Sequence, residues 1–315
     1  MTAGEEVVDL VNESPADLEW LRGLPRLREL RLRHTDPHSA PGGLPLDLGP
    51  LAGAAHLEVL HLAEQAVLDL SPLRGLRRLR ELDVSGTGVD DLAPLEHAGA
   101  LRVLRVRATR VRSLEPVRAL TGLTTLDVAH TQVADLEPIS RLTGLTRLFL
   151  AGSRVEDLSP LAALTALSEL SVDRLPIRTL SGLSGLAWFA ATRRLDLGGT
   201  ALEAIAGIER ARGATELFLH NTAVHDLAPL AALTGLRVLR LDNTPVRDIG
   251  PLAALAGLAE LSLAGTRVTD LSALYGLRGL SELDLDGAGA GADQVAALRE
   301  ARPGLRILGC RTTRP

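Results

Sequence analysis

Few side chains in this sequence have the types and spacing that chemistry would need. His220 and Asp242 are candidates for a general base and its carboxylate partner. On neighbouring strands of one sheet they would lie about 4.8 Å apart. A nucleophile would complete the set, and Ser262 is the nearest hydroxyl in the repeating pattern. It falls one strand farther along and in a different column of side chains, so the sequence argues against a catalytic triad.

Metal and phosphate sites find equally little support. His34, His38 and His61 could share a metal ion, but their spacing matches no recognised ligand pattern. The segment Gly287-Ala-Gly-Ala-Gly291 is glycine-rich, yet it precedes only a short terminal helix and favours a flexible turn over a phosphate-binding loop. We therefore expect no enzyme, no cofactor and no metal.

The elements that must position these residues repeat along the chain. A short Leu-x-Leu unit, whose alternation predicts a strand, recurs mostly every 22 residues, with longer steps of 30 and 25. The first apolar residue of each unit is Val8, Leu30, Leu60, Leu82, Leu104, Leu126, Leu148, Leu170, Leu195, Leu217, Leu239, Leu261, Leu283 or Leu308. Such regularity indicates a tandem array of one structural unit.

In one period, Leu79 to Leu95, the alternation around Leu82 and Val84 predicts a strand, and the later part, which ends in Pro94 and Leu95, predicts a turn into a short helix. This pattern resembles the leucine-rich repeat, and in length the 22-residue class found in bacterial internalins and in a regulatory subunit of type-1 protein phosphatase. The resemblance covers about residues 8 to 310. It implies an α/β fold: a right-handed leucine-rich-repeat solenoid with a parallel β-sheet on the concave face and short helical or 3-10 turns on the convex face.

Three polar or rigid columns accompany the leucines, and we interpret all three as structural. The family's usual Asn after the strand is replaced by a hydroxyl that can satisfy backbone groups, at Thr87, Thr109, Thr131, Ser153, Thr200, Thr222, Thr244 and Thr266. Carboxylates placed to accept from free amides precede the turn at Asp91, Asp135, Asp157, Asp226, Asp248 and Asp270. Prolines fit its first positions at Pro94, Pro116, Pro138, Pro160, Pro229 and Pro251.

The unbroken repeat predicts a single leucine-rich-repeat domain over residues 1–315. We expect an N-terminal capping repeat at 1–29, central repeats at 30–282 with insertions near 36–43 and 184–191, and a C-terminal capping repeat at 283–315. Helical spacing from Ala292 to Arg302 marks the last cap, and Pro303-Gly304 ends it. Trp188-Phe189, in the second insertion, is expected to fill the core, with an exposed partner contact as the alternative.

Function is expected on the open face of the sheet, where the residues between and after the leucines point to solvent. Two of only three phenylalanines, Phe149 and Phe218, fall there, as expected of interface anchors; the alternative is simple packing over neighbouring strands. Small residues in the second outward column would leave room for a partner. The candidate partner-binding residues are Arg31, Arg33, Arg105, Arg107, Asp127, Arg147, Phe149, Asp173, Asp196, Phe218, His220, Arg240 and Asp242.

The charged residues of that face are also ordered along the chain. Arginines gather in its N-terminal part, and Asp242, Glu260, Glu282, Asp284 and Asp286 in its C-terminal part. Such an order would orient a partner of complementary polarity; an evenly mixed, solvated surface is the alternative. Nucleic acid is the rival partner class, through the arginines and base stacking on Phe149, but the acidic part would repel phosphate.

Composition places the protein among globular proteins, with 46% hydrophobic and 23% charged residues and a net charge of -5. The single Cys310 excludes an intramolecular disulfide, and the charged start lacks the features of a secretory signal, so we expect a cytoplasmic location and no membrane contact. All 34 basic residues are Arg, a bias associated with GC-rich bacterial genomes.

These observations predict a non-enzymatic scaffold that binds a protein partner on its concave face, most simply as a monomer. A regulatory or sensor subunit of a signalling enzyme, such as a phosphatase, is the alternative that the resemblance implies. A secreted adhesin and a nucleic-acid binder rank behind it.

Overall fold

The computed structural model describes residues 6–11, 17–33 and 45–309, except for the side chain of Arg33. The chain forms two compact units, Met1–Leu167 and Ser168–Pro315. The predicted insertion near 36–43 and Cys310 lie outside the described residues. Within them, no helix has the length and apolar character needed to cross a bilayer.

The described residues of the first unit form seven strands that pair in parallel in the order of the chain. They are β1 Val7–Val11, β2 Glu29–Arg33, β3 Val59–His61, β4 Glu81–Asp83, β5 Val103–Arg105, β6 Thr125–Asp127 and β7 Arg147–Phe149. Between them run 3-10 turns at Glu19–Gly23, Gly49–Leu51, Ser71–Gly75, Ala93–Leu95, Glu115–Val117 and Glu137–Ile139, and a last turn follows β7 at Ser159–Ala163.

The second unit repeats this plan, with seven more parallel strands between residues 168 and 309. They are β8 Glu169–Ser171, β9 Arg194–Asp196, β10 Glu216–Phe218, β11 Val238–Arg240, β12 Glu260–Ser262, β13 Glu282–Asp284 and β14 Arg306–Leu308. The helices are α1 Ser181–Ser184 and α2 Ala292–Ala301, and the 3-10 turns are Phe189–Ala191, Ile208–Arg210, Ala228–Ala232, Gly250–Ala254 and Ser272–Leu274.

The strand register confirms the repeat frame with one correction. Leu82 pairs with Leu104 and Leu104 with Leu126, so equivalent leucines stack in one buried column. In the last repeat, Ile307 and not Leu308 is the partner of Leu283, and Leu308 aligns with Asp284. The frame is lost there because α2 replaces the usual 3-10 turn and changes the length of the return segment.

The predicted turn chemistry is confirmed in both units. Each carboxylate of the Asp column accepts a hydrogen bond from the amide two residues on, as Asp91 does from Ala93 at 2.8 Å. Each Thr hydroxyl donates to a carbonyl three residues back, as Thr131 does to Val128 at 2.6 Å. Ser153 differs, because its buried hydroxyl has no partner among the described residues.

A left-handed backbone position follows every strand from β3 to β13, a feature that the sequence analysis missed. Glycine or asparagine occupies most of these positions, but Glu64, Ala108, His130 and Arg174 also have φ between 54° and 61°. Their amides continue the ladder beyond the strand, as Ala108 does by donating to Ala129 at 2.8 Å. The turn geometry therefore imposes this conformation on residues that would otherwise avoid it.

Aliphatic side chains fill the interior of each unit, and the second insertion adds two aromatic ones. Trp188 and Phe189 are 1% and 0% exposed, with ring centroids 6.0 Å apart in an edge-to-face arrangement. Core filling is therefore the correct interpretation of this pair. At the other end, the predicted helix forms as α2 and buries Val295 and Leu298. The assignment of capping repeats stays a prediction.

Candidate partner-binding face

The outward face of each unit consists of the side chains that flank and follow the middle leucine of each strand. The middle leucines are buried, whereas their neighbours in the strands are mostly half-buried or exposed. This alternation is the geometry predicted from the sequence. In the first unit it places Arg31, Arg105, Arg107, Asp127, Arg147 and Phe149 on the outward face, and the side chain of Arg33 lies outside the described part.

Glu81 organises the charges of the first unit. Its carboxylate lies 2.6 Å from the Arg105 guanidinium and 3.1 Å from Nε2 of His61, on the strands to either side. Burial works against ionisation of Glu81, but the hydrogen bond and charge of Arg105, aided by His61, bring its pKa below the ordinary value. His61 is thus part of an ion-pair cluster, and its proposed metal partners His34 and His38 lie in a segment that the structure does not describe.

Two other arginines on the outward face of this unit also have local partners. Arg31 pairs with Glu29 of its own strand at 2.8 Å, and Nε of Arg147 donates to the Thr125 hydroxyl at 3.0 Å. Arg107 is exposed. Because Arg31 and Arg105 are each in contact with a carboxylate, the positive end of the predicted charge order is weaker than the sequence suggests.

Asp127 and Phe149 lie side by side on β6 and β7. The Asp127 carboxylate accepts from the amide of Ala129 at 2.9 Å, and burial, together with the charge of Asp83, raises its pKa against the opposing effect of that bond and the nearby arginines. Phe149 is half-buried, neither sealed in the core nor fully exposed. An apolar ring beside a partly desolvated carboxylate is a surface that a partner could cover at low cost.

In the second unit, Phe218 on β10 is half-buried beneath an arginine of the neighbouring strand. The guanidinium carbon of Arg194 lies 4.5 Å from the ring centroid, within cation-π range. The same guanidinium lies 2.5 Å from the carboxylate of Glu216. Phe218 therefore does pack over a neighbouring strand, as the alternative interpretation held, and it still contributes surface to the outward face.

His220 makes a contact that the sequence analysis did not predict. Its Nε2 lies 3.4 Å from Oδ1 of Asp173, which belongs to the repeat two strands away. Gly198 stands between them in the same column, and the imidazole ring occupies the place that a Cβ of residue 198 would take. The backbone next to His220 pairs with Asp242, since the amide of Asn221 donates to the Asp242 carbonyl at 2.8 Å, but the imidazole ring lies over glycine and contacts Asp173 on the other side. The column order Asp173, Gly198, His220 carries this signal.

Asp196 joins the same group from β9. Its carboxylate accepts from the Gly198 amide at 3.1 Å and from the Ser171 hydroxyl at 3.2 Å. One ligand-type atom from each of Asp173, Asp196 and His220 lies within 4.8 Å of the others. The structure thus brings together three of the predicted partner-binding residues.

Arg240 and Asp242 lie on the next repeat. Arg240 is 3.6 Å from Glu260, and Asp242 accepts a hydrogen bond from the hydroxyl of Ser262. Ser262 lies one strand farther along, as predicted, and its contact with Asp242 was not predicted. Ser262 is fully buried, and the described contacts of His220 lead to Asp173, so these residues do not form a nucleophile and base pair.

The second outward column offers less free room than its small residues suggest. Ala129 is 0% and Ala151 7% exposed, so both are already covered. At Gly198 the open space is filled by His220. Small residues here serve close packing between repeats as much as access for a partner.

Comparison with solved structures places this fold. An internalin (inlF) of Listeria monocytogenes is 26% identical, with a TM-score of 0.72 over 82% of this chain and 75% of the internalin. A leucine-rich-repeat protein of Leptospira interrogans is 15% identical, with a TM-score of 0.67 over 96% of this chain and 89% of its own.

The ectodomain of the Arabidopsis thaliana receptor kinase GASSHO1/SCHENGEN3 is 16% identical, with a TM-score of 0.64. That match covers 94% of this chain and 43% of the ectodomain. No family model matches the chain, and neither does any curated protein. Within the part of the chain that the structure describes, fourteen parallel strands nevertheless alternate with 3-10 turns or helices on a frame of mostly 22 residues, which makes this a leucine-rich-repeat protein, structurally close to the Listeria internalins.

Proposed function

We propose that the protein is a non-enzymatic scaffold that binds a protein partner through the outward face of its sheet. One observation carries the proposal: the chain divides its phenylalanines between core and surface. Phe189 is 0% exposed, whereas Phe149 and Phe218 stay half-buried on the outward faces of their units. Aromatic rings that the fold leaves partly uncovered are the residues that most often anchor protein interfaces.

The surroundings of Phe218 favour a protein as the partner. The ring is held by Arg194, which Glu216 holds in turn, so both side chains are ordered before a partner arrives. Less rotamer entropy is then lost on binding. Aromatic and arginine side chains together are the usual composition of an interface hot spot.

Phe149 offers a simpler anchor. It lies next to Asp127, whose raised pKa reflects a partly desolvated carboxylate, and Arg147 is exposed on the same strand. A half-buried ring with an ionic margin corresponds to the apolar centre and polar rim of a typical interface.

One of the structural neighbours was solved with a ligand bound. The plant receptor ectodomain was determined in complex with CASPARIAN STRIP INTEGRITY FACTOR 2. At 16% identity that likeness shows the fold alone, so the choice of a protein partner for this chain rests on its own outward face.

Nucleic acid is less well supported. Arg31, Arg105 and Arg240 each lie within 4.0 Å of a carboxylate, which leaves less positive charge for a phosphate backbone. Binding that weakens steeply with added salt would argue for nucleic acid, and binding insensitive to salt would argue against it.

Affinity capture from the source cell tests the proposal. The wild-type protein and the double variant Phe149→Ala/Phe218→Ala serve as bait at equal concentration, and captured proteins are quantified by mass spectrometry. We expect a partner that the wild type enriches and the variant loses, with both baits equally stable to heat. Capture of the same partner by the variant would show that Phe149 and Phe218 do not anchor it.

We also propose a cytoplasmic location for the protein, which cell fractionation tests.

A further inference from the structure

We propose that Asp173, Asp196 and His220 form a binding site for a divalent metal ion of the zinc class. The site lies within the second unit, next to the anchor Phe218, whose register partner is Asp196. It is a group of one imidazole and two carboxylates from three successive repeats, brought together by the fold.

The distances suit a metal. Nε2 of His220 and Oδ1 of Asp173 are 3.4 Å apart. Two ligands bound at about 2.0–2.1 Å in tetrahedral geometry are separated by about 3.3 Å. A ligand-type oxygen of Asp196 lies within 4.8 Å of both, so a small movement of one side chain closes the triangle.

The supporting contacts hold the ligands in place. Asp196 accepts from the Gly198 amide and from the hydroxyl of Ser171, which is only 8% exposed. Each oxygen of the Asp196 carboxylate accepts one of these hydrogen bonds and has a second lone pair that can bind a metal. The His220 ring is fixed over Gly198, where any side chain would displace it. Metal sites depend on such second contacts, whose loss typically costs 10- to 100-fold in affinity.

The charges around the group suit a cation. Asp173 and Asp196 both lie near His220, and Nε of Arg174 lies 3.4 Å from Oδ2 of Asp173. The Arg174 side chain is 68% exposed and is free to turn away into water. A bound dication would offset the negative charge of both carboxylates.

The ligand set points to a first-row transition metal. Imidazole nitrogen favours zinc and its neighbours over magnesium or calcium, which prefer all-oxygen sites. Three protein ligands leave at least one coordination position for water or for a side chain of a bound partner.

Titration of the full chain with Zn²⁺ after chelator treatment tests the site by calorimetry, and Co²⁺ provides a visible spectrum that reports tetrahedral ligation. We expect one equivalent to bind, and affinity to fall at least tenfold in His220→Ala and in Asp196→Asn. Gly198→Ala, which keeps all three ligands but displaces the ring, should also weaken binding. His225→Ala is the matched control, because His225 is an exposed histidine of the same unit.

Two results would overturn the proposal. Absence of saturable Zn²⁺ binding to the wild type would show that the group is only an ion-pair cluster. Equal binding by wild type and His220→Ala would show adventitious binding elsewhere. Thermal unfolding of each metal-free variant shows whether it is folded. If His220→Ala is unfolded, Asp196→Asn and Gly198→Ala still decide the question.

Discussion

The Arg194 guanidinium covers one side of the Phe218 ring at 4.5 Å, and Glu216 holds that guanidinium in place. An aromatic residue that appears free in the sequence is therefore already part of a three-residue stack across β9 and β10. Arg194 covers part of the Phe218 ring, so the ring is neither fully exposed nor buried. Thermal unfolding of Phe218→Ala should therefore accompany its binding measurement, as a check that loss of this surface stack leaves the fold intact.

The leucine column should dominate stability. Leu126 is 0% exposed and stacks between Leu104 and Leu148. Leu126→Ala should lower the free energy of unfolding by about 2–5 kcal/mol, through lost apolar burial and the cavity that remains. Leu68→Ala is the control, because Leu68 is 50% exposed. Denaturant unfolding measures both, and a loss below about 1 kcal/mol at Leu126 would contradict the packing described.

Backbone strain at the left-handed positions can be removed by a substitution at one of them. Ala108 has φ of 54°, a conformation that glycine adopts without steric cost. Ala108→Gly should therefore raise the free energy of unfolding by up to about 1 kcal/mol. Ala119→Gly, at an exposed position outside this column, should lower it or leave it unchanged. Thermal and denaturant unfolding compare the two, and a clear loss at position 108 would show that the turn does not impose this strain.

The Thr column should matter through its hydroxyl. Thr131 is 4% exposed, and its Oγ1 donates to the carbonyl of Val128 at 2.6 Å. Thr131→Val keeps the shape and leaves that carbonyl without its bond, at an expected cost of about 1–2 kcal/mol. Thr121→Val, at an exposed site, should change stability by less than about 0.5 kcal/mol. Equal effects of the two variants in chemical denaturation would assign the column to packing alone.

These columns show how far the sequence could lead. The fold, strand register and turn chemistry follow from local periodicity, so they could be predicted at Leu82, Asp91 and Thr131. The contact of His220 with Asp173 was missed: Gly198 between two longer side chains of one column is a signal for it, but periodicity does not show toward which neighbouring strand the ring extends. Ion pairs such as Glu81 with Arg105 were also missed, because the order of residue types along the face does not show with which neighbouring strand each charged side chain pairs.

The Glu81 cluster gives stability a defined pH dependence. Its lowered pKa means that the ionised carboxylate favours the folded state, so this contribution is present above about pH 4.5 and is lost as the pH falls through the folded-state value. Glu81→Gln should cost about 0.5–1 kcal/mol at neutral pH. The difference from wild type should shrink in acid. Unfolding across a pH series checks this, and a difference independent of pH would disprove an ionic origin.

The dissociation constant of the captured partner tests the central claim most directly. We predict that Phe149→Ala and Phe218→Ala each weaken binding at least tenfold, about 1.4 kcal/mol, at unchanged stability, whereas Arg210→Ala, on the turn side of the second unit, binds like wild type. Wild-type affinity in both phenylalanine variants, together with a loss in Arg210→Ala, would place recognition on the turns and contradict the account.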